Sequence, residues 1–134
     1  MASDTMIKIG ERLKSAGRAL SQAPTEVKNQ ALKLAAEALE ASSEAILEAN
    51  ALDMDKARGT GRNSAFLDRL KLTEGRINSM AEGLRQVAAL ADPVGKVEAT
   101  WERPNGLEIR RVKVPIGVIG IIYESRPNVT ADAG

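Results

Sequence analysis

Polar side chains capable of chemistry are concentrated in residues 123–128, which read Tyr-Glu-Ser-Arg-Pro-Asn. The planar guanidinium of Arg126 could hold a phosphate or a carboxylate through two parallel hydrogen bonds. The side-chain amide of Asn128 could donate a hydrogen bond to an oxyanion. A structural interpretation competes with this one, and residue types alone favour it. In that interpretation the segment is a loop into a helix, Asn128 caps the helix, and Arg126 pairs with Glu124.

The composition excludes several kinds of chemistry. The 134 residues contain no cysteine and no histidine, so disulfides, thiol nucleophiles, imidazole bases and Cys/His metal sites are absent from the chain. The net charge is +1, and the aromatic residues are one Trp, one Tyr and one Phe, which argues against nucleic acid or an anionic membrane as a partner. No apolar signal segment or membrane-length run is present, and we expect a cytoplasmic protein.

Two hydrophobic periodicities in the sequence predict the helices and strands that position the polar segment. Apolar residues recur every three or four positions over most of the first ninety residues, which is typical of amphipathic helices. The breaks predict helices over 5–22, from Pro24 to about residue 40, over 43–58, over 64–70, and from Thr73 to Asp92. Thr73 is the predicted N-cap of the last of these helices, with Leu72 and Ile77 as a hydrophobic staple.

Two glycine motifs could suggest nucleotide binding. Gly59-Thr60-Gly61 follows a helix rather than a strand, so we interpret Gly59 as the C′ glycine of that helix. Gly117 and Gly120 lie inside an apolar run, where glycines usually permit close packing of a neighbouring segment. Neither motif predicts a phosphate site.

From residue 96 onward the pattern is typical of strands. Residues 96–102 and 107–114 alternate apolar and charged side chains around an Arg-Pro-Asn-Gly turn, which predicts a β-hairpin. Residues 116–123 are almost continuously apolar, which predicts a strand buried on both faces of a parallel sheet. Ligands bind at the carboxyl edge of such sheets, so this strand would deliver residues 123–128 to a binding edge. Because the chain offers this strand no parallel neighbour, we expect the chain alone to be poorly soluble or to self-associate through it.

Three segments carry a resemblance to a known family. They are ILEANALDMDKAR (46–58), AFLDRLKLTEGRINSMAEGLRQVAALADPVGKV (65–97) and PIGVIGIIYESRPNVTADAG (115–134). Together they resemble the gamma-glutamyl phosphate reductases, also called glutamate-5-semialdehyde dehydrogenases, of the aldehyde dehydrogenase superfamily. The resemblance implies an α/β fold: the N-terminal part of an aldehyde dehydrogenase-like fold, mostly helical, with a hairpin and the first strand of a Rossmann-like sheet. The implied divisions are a helical region (1–95), an oligomerisation-type hairpin (96–114) and the start of the cofactor domain (115–134).

The resemblance also implies an activity and a site. Members of the family reduce L-glutamyl 5-phosphate with NADPH to L-glutamate 5-semialdehyde and phosphate, in proline biosynthesis, through a cysteine thiolate. Asn128 matches the asparagine that stabilises the oxyanion in the superfamily, although the loop before it is longer here. Tyr123, Glu124 and Ser125 are expected at the cofactor, and Arg126 is our hypothesis for substrate binding.

The family is much longer than this chain, and the cysteine on which it depends is absent here. We therefore interpret the chain as the N-terminal part of such an enzyme and expect it to be inactive alone. Self-association through the hairpin is expected, and the upstream glutamate kinase is a candidate partner. The alternative is a non-catalytic helical scaffold or self-association module of the same ancestry.

Overall fold

A computed structural model describes residues 4–133 of the chain. The elements, in chain order, are α1 (Asp4–Ser21), α2 (Thr25–Ala41), α3 (Ser43–Gly59), α4 (Ser64–Leu70), α5 (Glu74–Ala88), β1 (Val97–Glu102), β2 (Glu108–Val112) and α6 (Val129–Asp132). The helical N-terminal region and the hairpin confirm the predicted fold class. None of the helices within residues 4–133 is long and apolar enough to cross a membrane.

The chain divides into two compact units. The first, here called the hairpin unit, contains the residues up to Thr25 and Ala91–Gly120. The second, here called the helical unit, contains Glu26–Leu90 and the residues from Ile121 onward. The helical unit therefore brings the polar segment 123–128 together with α2 to α5.

In the hairpin unit, β1 and β2 form an antiparallel pair in which Trp101 lies opposite Ile109. The predicted Arg-Pro-Asn-Gly turn is confirmed, because the Gly106 amide donates to the Arg103 carbonyl at 2.9 Å. Gly106 has a φ of 81°, a left-handed conformation that glycine adopts without steric cost. Both strands are exposed along most of their length, including the apolar side chains of Trp101 and Ile109. The Arg111 guanidinium lies over the Trp101 ring, 5.3 Å from its centroid, so the hairpin offers a partly exposed apolar surface.

The core of the helical unit is formed by small and medium apolar side chains of α2, α3 and α5. Its buried residues are Ala36, Met54, Ala57, Leu72, Ile77, Met80, Ala81 and Ala88. Outside this core, Glu40 of α2 and Arg85 of α5 form a bidentate pair, with Arg85 Nη1 and Nη2 donating to Glu40 Oε1 and Oε2 at 2.8 and 2.6 Å. The pair therefore fixes α2 against α5 at the edge of the core.

Helix α5 begins as predicted at Thr73, whose Oγ1 accepts from the Arg76 amide at 3.2 Å. The flanking Leu72 and Ile77 are both buried, consistent with the predicted staple. The end of α3 differs from the prediction, because Gly59 is still helical and the left-handed residue is Gly61, at a φ of 70°. The Gly61 amide donates to Arg58 and the Arg62 amide to Ala57, a Schellman motif with Gly61 at C′.

Residues 113–124 differ from the predicted buried strand, because they carry no regular secondary structure. The apolar side chains of 116–123 are largely exposed, and Ile122 is fully so. A strand requires a neighbour to pair its N–H and C=O groups, and the described residues provide none for this segment. A Cβ on Gly117 or Gly120 would meet nothing within 4 Å, so the expected close packing at these glycines is also absent here.

Candidate active site

The polar segment contributes one wall of an open cavity of about 440 Å³ in the helical unit. The other wall residues come from α4, from the linker between α4 and α5, and from the first turns of α5. The lining residues are Asp68, Arg69, Lys71, Leu72, Arg76, Ser79, Met80, Arg126, Asn128 and Asp132. Two of the predicted site residues, Arg126 and Asn128, therefore lie in one concave surface, together with residues that the sequence did not single out.

Arg126 lines the cavity with an exposed side chain. Its guanidinium makes no hydrogen bond or ion pair with any of the residues in 4–133. The expected local pair with Glu124 is not formed, because Glu124 Oε1 lies 3.7 Å from Arg62 Nη2 instead. The local-pairing interpretation of Arg126 is therefore wrong, and its planar donor fork remains free to receive an anion.

Asn128 is half-buried at the N-cap position of α6, but its side chain makes no capping hydrogen bond. Its Nδ2 instead donates to Asp132 Oδ2 at 2.7 Å, one helical turn further on. The interpretation of Asn128 as a side-chain cap is therefore wrong. One of its two amide protons holds the side chain in place, and the second is left to donate to a ligand in the cavity.

The turn before Asn128 has an uncommon backbone. Ser125 has a φ of 55°, and no other non-glycine residue in 4–133 has a positive φ. Tyr123 Oη and Thr130 Oγ1 lie 2.5 Å apart and tie the two sides of this turn together. Left-handed serine is disfavoured and persists where the surroundings impose it, commonly at functional loops. The turn thus sets the direction in which Arg126 and Asn128 leave the backbone.

Of the residues predicted at the cofactor, none lines the cavity itself. The Tyr123 hydroxyl contacts Thr130, Glu124 contacts Arg62, and Ser125 forms the turn. These three residues lie directly before the cavity wall in the chain. Their predicted role at the cofactor stays a prediction.

On the opposite wall, Asn50 of α3 determines the course of the α4–α5 linker. Asn50 is 7% exposed, and its Nδ2 donates to the Leu70 carbonyl at 2.9 Å. Its Oδ1 accepts from the Leu72 amide at 2.7 Å. The sequence analysis missed this residue, although one signal was available: Asn50 is a polar residue four positions before the core residue Met54, in the apolar stripe of an amphipathic helix.

Arg76 of α5 joins the same linker from the other side. Its Nη1 donates to the Lys71 carbonyl at 2.6 Å and to the Asp68 carbonyl, and its Nη2 lies 3.1 Å from Asp68 Oδ1. The guanidinium therefore connects the end of α4 to the start of α5. Although Arg76 lines the cavity, three of its five N–H donors are engaged within the protein, and we assign it to holding the wall.

The charges around the cavity are unbalanced. Its lining contains four cations and two carboxylates, and each carboxylate is engaged, Asp68 with Arg76 and Asp132 with Asn128. Lys71 and Arg126, together with Arg69, have no charged partner in residues 4–133. Three unpaired cations around one concavity attract an anion. No group of acidic residues in the same range could hold a metal ion.

No protein-family model matches the chain. Individual proteins and solved structures do match it, and they share one name. The gamma-glutamyl phosphate reductases of Mesorhizobium japonicum and Rhodospirillum rubrum are 56% and 60% identical to it over 129 residues, which cover 96% of this chain and 30% of each relative. The crystal structure of gamma-glutamyl phosphate reductase from Thermotoga maritima matches with a TM-score of 0.93 at 45% identity, over 97% of this chain and 31% of that one.

The chain thus spans about 30% of the length of the curated relatives it matches. Within that span the backbone course is closely similar, with a TM-score of 0.93, and the chain shares 60% of its residues with the Rhodospirillum rubrum relative. The predicted resemblance is confirmed. In sequence and fold the chain is similar to the gamma-glutamyl phosphate reductases, and it matches the N-terminal part of their aldehyde dehydrogenase-like fold.

Proposed function

We propose that this chain supplies one corner of the site at which L-glutamyl 5-phosphate is reduced to L-glutamate 5-semialdehyde in proline biosynthesis, in the cytoplasm. One observation carries the proposal. Arg126, which has no partner in residues 4–133, and Asn128, whose amide is oriented by Asp132, line the same cavity. An anion-binding fork beside an oriented amide donor is what the reduction of an acyl phosphate requires.

Each of the two residues has a distinct role in the proposed reaction. Attack of a nucleophile on the acyl carbon converts its carbonyl oxygen into an oxyanion, to which the free amide proton of Asn128 donates. The C–O bond to the phosphate then breaks, and phosphate leaves with the electron pair of that bond. Arg126 binds an anionic group of the substrate, the phosphate or the carboxylate, through its planar fork.

The nucleophile and most of the cofactor site are not supplied by these 134 residues. The chain contains no cysteine, so we propose that it contributes binding and oxyanion stabilisation and does not turn over alone. Bound NADPH would supply the hydride. The exposed Tyr123 and Glu124 and the half-buried Ser125 fit its uncharged portion, since a carboxylate accepts from a ribose or carboxamide donor but repels a pyrophosphate.

A hybrid enzyme tests this proposal. It is the full-length Rhodospirillum rubrum relative with its matching N-terminal part replaced by residues 1–134 of this chain, assayed by NADPH oxidation that depends on acyl phosphate. Asn128→Ala is expected to lower kcat about 100- to 1,000-fold, the usual effect of losing one oxyanion donor. Arg126→Ala is expected to raise KM about 10- to 100-fold, as for a lost hydrogen bond to a charged group.

Arg58→Ala is the matched control, because Arg58 is an exposed arginine of α3 that pairs with Asp55 and does not line the cavity. An unchanged KM in Arg126→Ala would eliminate the substrate role of Arg126. An inactive hybrid beside an active parent would favour the scaffold alternative. Measurable turnover by the purified 134-residue chain would contradict the proposal that the nucleophile lies outside it.

We further propose that the hairpin mediates self-association. The apolar faces of Trp101 and Ile109 are both more than two-fifths exposed, which supports a surface covered by another copy. Trp101→Lys in the hybrid enzyme should lower its mass in light scattering. An unchanged mass would exclude the hairpin from the interface.

A further inference from the structure

Lys71, in the linker between α4 and α5, combines a fixed backbone with an unpaired side chain. Its amide donates to the Leu67 carbonyl at 3.0 Å, and its carbonyl accepts from Arg76 at 2.6 Å. The residues on either side are both held by Asn50, through the Leu70 carbonyl and the Leu72 amide. Four hydrogen bonds therefore fix three consecutive residues, while the ammonium group of the central one has no partner in residues 4–133.

We propose that Lys71 binds the α-carboxylate of the glutamyl substrate and is a specificity-determining residue of this site; the inference rests on the proposed function. The substrate carries anions at both ends, an acyl phosphate and an α-carboxylate. Asn128 and Arg126, from the polar segment, and Lys71, from the α4–α5 linker, line the same cavity. The reacting end lies at the segment that holds the amide donor, so the second anion is left for a cation of the other lining segment.

The other cations of that wall fit this role less well. Arg76 uses three of its five N–H donors on the carbonyl and carboxylate of Asp68 and on the Lys71 carbonyl, so fewer of them are available to a ligand. Arg69 is also unpaired, and the carbonyls of its neighbours Asp68 and Leu70 are bonded as well. It differs in its own backbone, because among residues 4–133 a side chain bonds the Lys71 carbonyl but none bonds that of Arg69. A compact ammonium on a fixed backbone suits a carboxylate at an open site, where bidentate geometry is not required.

The kinetic test compares two aldehydes that differ only in the α-carboxylate. The hybrid enzyme is run in reverse, with NADP and phosphate, on glutamate 5-semialdehyde and on 4-aminobutanal. Lys71→Met should raise KM for the semialdehyde about 10- to 100-fold, the range for losing one charge-assisted hydrogen bond. KM for 4-aminobutanal and KM for phosphate should not change. Lys56→Met, an exposed lysine of α3 outside the cavity, is the matched control.

Two results would overturn the assignment. One is an equal rise in KM for both aldehydes, which would indicate a general defect of the cavity rather than recognition of the carboxylate. The other is a semialdehyde-specific rise in Arg69→Met with none in Lys71→Met, which would move the carboxylate contact to α4. With the α-carboxylate assigned to Lys71, Arg126 is left for the phosphate, so Arg126→Ala, measured in parallel, should raise KM for phosphate and reports on the proposed function separately.

A binding measurement keeps the inference testable if the hybrid enzyme is inactive. L-glutamate and 4-aminobutyrate are titrated into the hybrid protein and into the 134-residue chain, with binding followed by thermal shift and by the NMR signal of the Lys71 amide. Tighter binding of L-glutamate that disappears in Lys71→Met would support the inference even where the proposed activity fails. Equal affinity for both ligands in the unmodified protein would refute it.

Discussion

Replacing Asn50 should destabilise the α4–α5 linker, which lines the cavity. Its side chain bonds two backbone groups on either side of Lys71, the Leu70 carbonyl and the Leu72 amide, and Leu72 is itself buried. Asn50→Ala removes two hydrogen bonds worth about 0.5–1.5 kcal/mol each and leaves a buried amide without a partner, which costs about 1–3 kcal/mol. The two effects overlap, and we expect a loss of about 3 kcal/mol in the free energy of unfolding of the helical unit.

Asn50→Asp separates the two bonds. A carboxylate still accepts from the Leu72 amide but cannot donate to the Leu70 carbonyl, and it places a negative oxygen where a donor stood 2.9 Å from that carbonyl. Burial and this contact raise the pKa of the introduced carboxyl above its ordinary value of about 3.9. A protonated carboxyl can donate, so the deficit of Asn50→Asp against the unmodified chain should be smallest below about pH 4. It should grow as pH rises through the raised pKa.

The assay is hydrogen exchange of the Leu72 amide together with urea unfolding, at pH 4 and pH 7. Asn50→Ala should speed exchange of that amide and show the same deficit at both pH values, because it introduces no titratable group. Asn50→Asp should approach the unmodified chain at pH 4 only. Undiminished protection of Leu72 in Asn50→Ala, or a deficit of Asn50→Asp that ignores pH, would refute the proposed bonding.

Three further predictions concern the rest of the chain. Hydrogen bonds from Arg85 hold the pKa of Glu40 below its ordinary value of 4.5, so the pair stabilises the fold above that pH, and this stabilisation is lost as pH falls through the lowered pKa. Glu40→Gln should therefore flatten the acid limb of a pH–stability curve. An unchanged acid limb would contradict the pairing. Gly61→Ala should destabilise the chain by about 1–2 kcal/mol because of the positive φ of Gly61. Gly59→Ala, in the helix, should instead stabilise the chain by about 0.5–1 kcal/mol. Changes in melting temperature of the same sign in both variants would exclude the Schellman motif at Gly61. Ile122→Lys should reduce self-association of the isolated chain in sedimentation, because it places a charge in the exposed apolar segment; sedimentation like that of the unmodified chain would show association through another surface.

The features that the sequence predicted correctly are those determined by residues close together in the chain. The Thr73 cap, the flanking Leu72 and the hairpin turn at Gly106 depend on contacts across a few positions, and the structure confirms each of them. The end of α3 was misplaced by two residues, because either glycine of the Gly-Thr-Gly segment could have taken the left-handed position. Only the bonds back to Ala57 and Arg58 distinguish Gly61 from Gly59.

The strand predicted over 116–123 shows a different limit. Its composition is typical of a segment suited to burial, but a strand depends on paired neighbours, and the described residues supply no backbone hydrogen bonds to it. Composition shows that a segment is suited to burial, whereas forming a strand also requires neighbouring segments that pair with its backbone. Ile122 shows this most clearly, because its apolar side chain is fully exposed.

The site itself required the structure, because its two walls are far apart in the sequence. Arg126 and Asn128 could be proposed from residue type and resemblance, but Lys71 is an ordinary surface lysine until its backbone is seen to be fixed. That fixation comes from Asn50, a residue twenty positions before the Leu70 carbonyl it binds. Burying a polar residue under a linker costs free energy unless its hydrogen bonds are made. Both hydrogen bonds of Asn50 are made, to Leu70 and Leu72, which are the two neighbours of the unpaired Lys71. The consequence is that the stability of α3 and the recognition of an anion in the cavity should change together, and Asn50→Ala should weaken binding of L-glutamate without touching any group that contacts it.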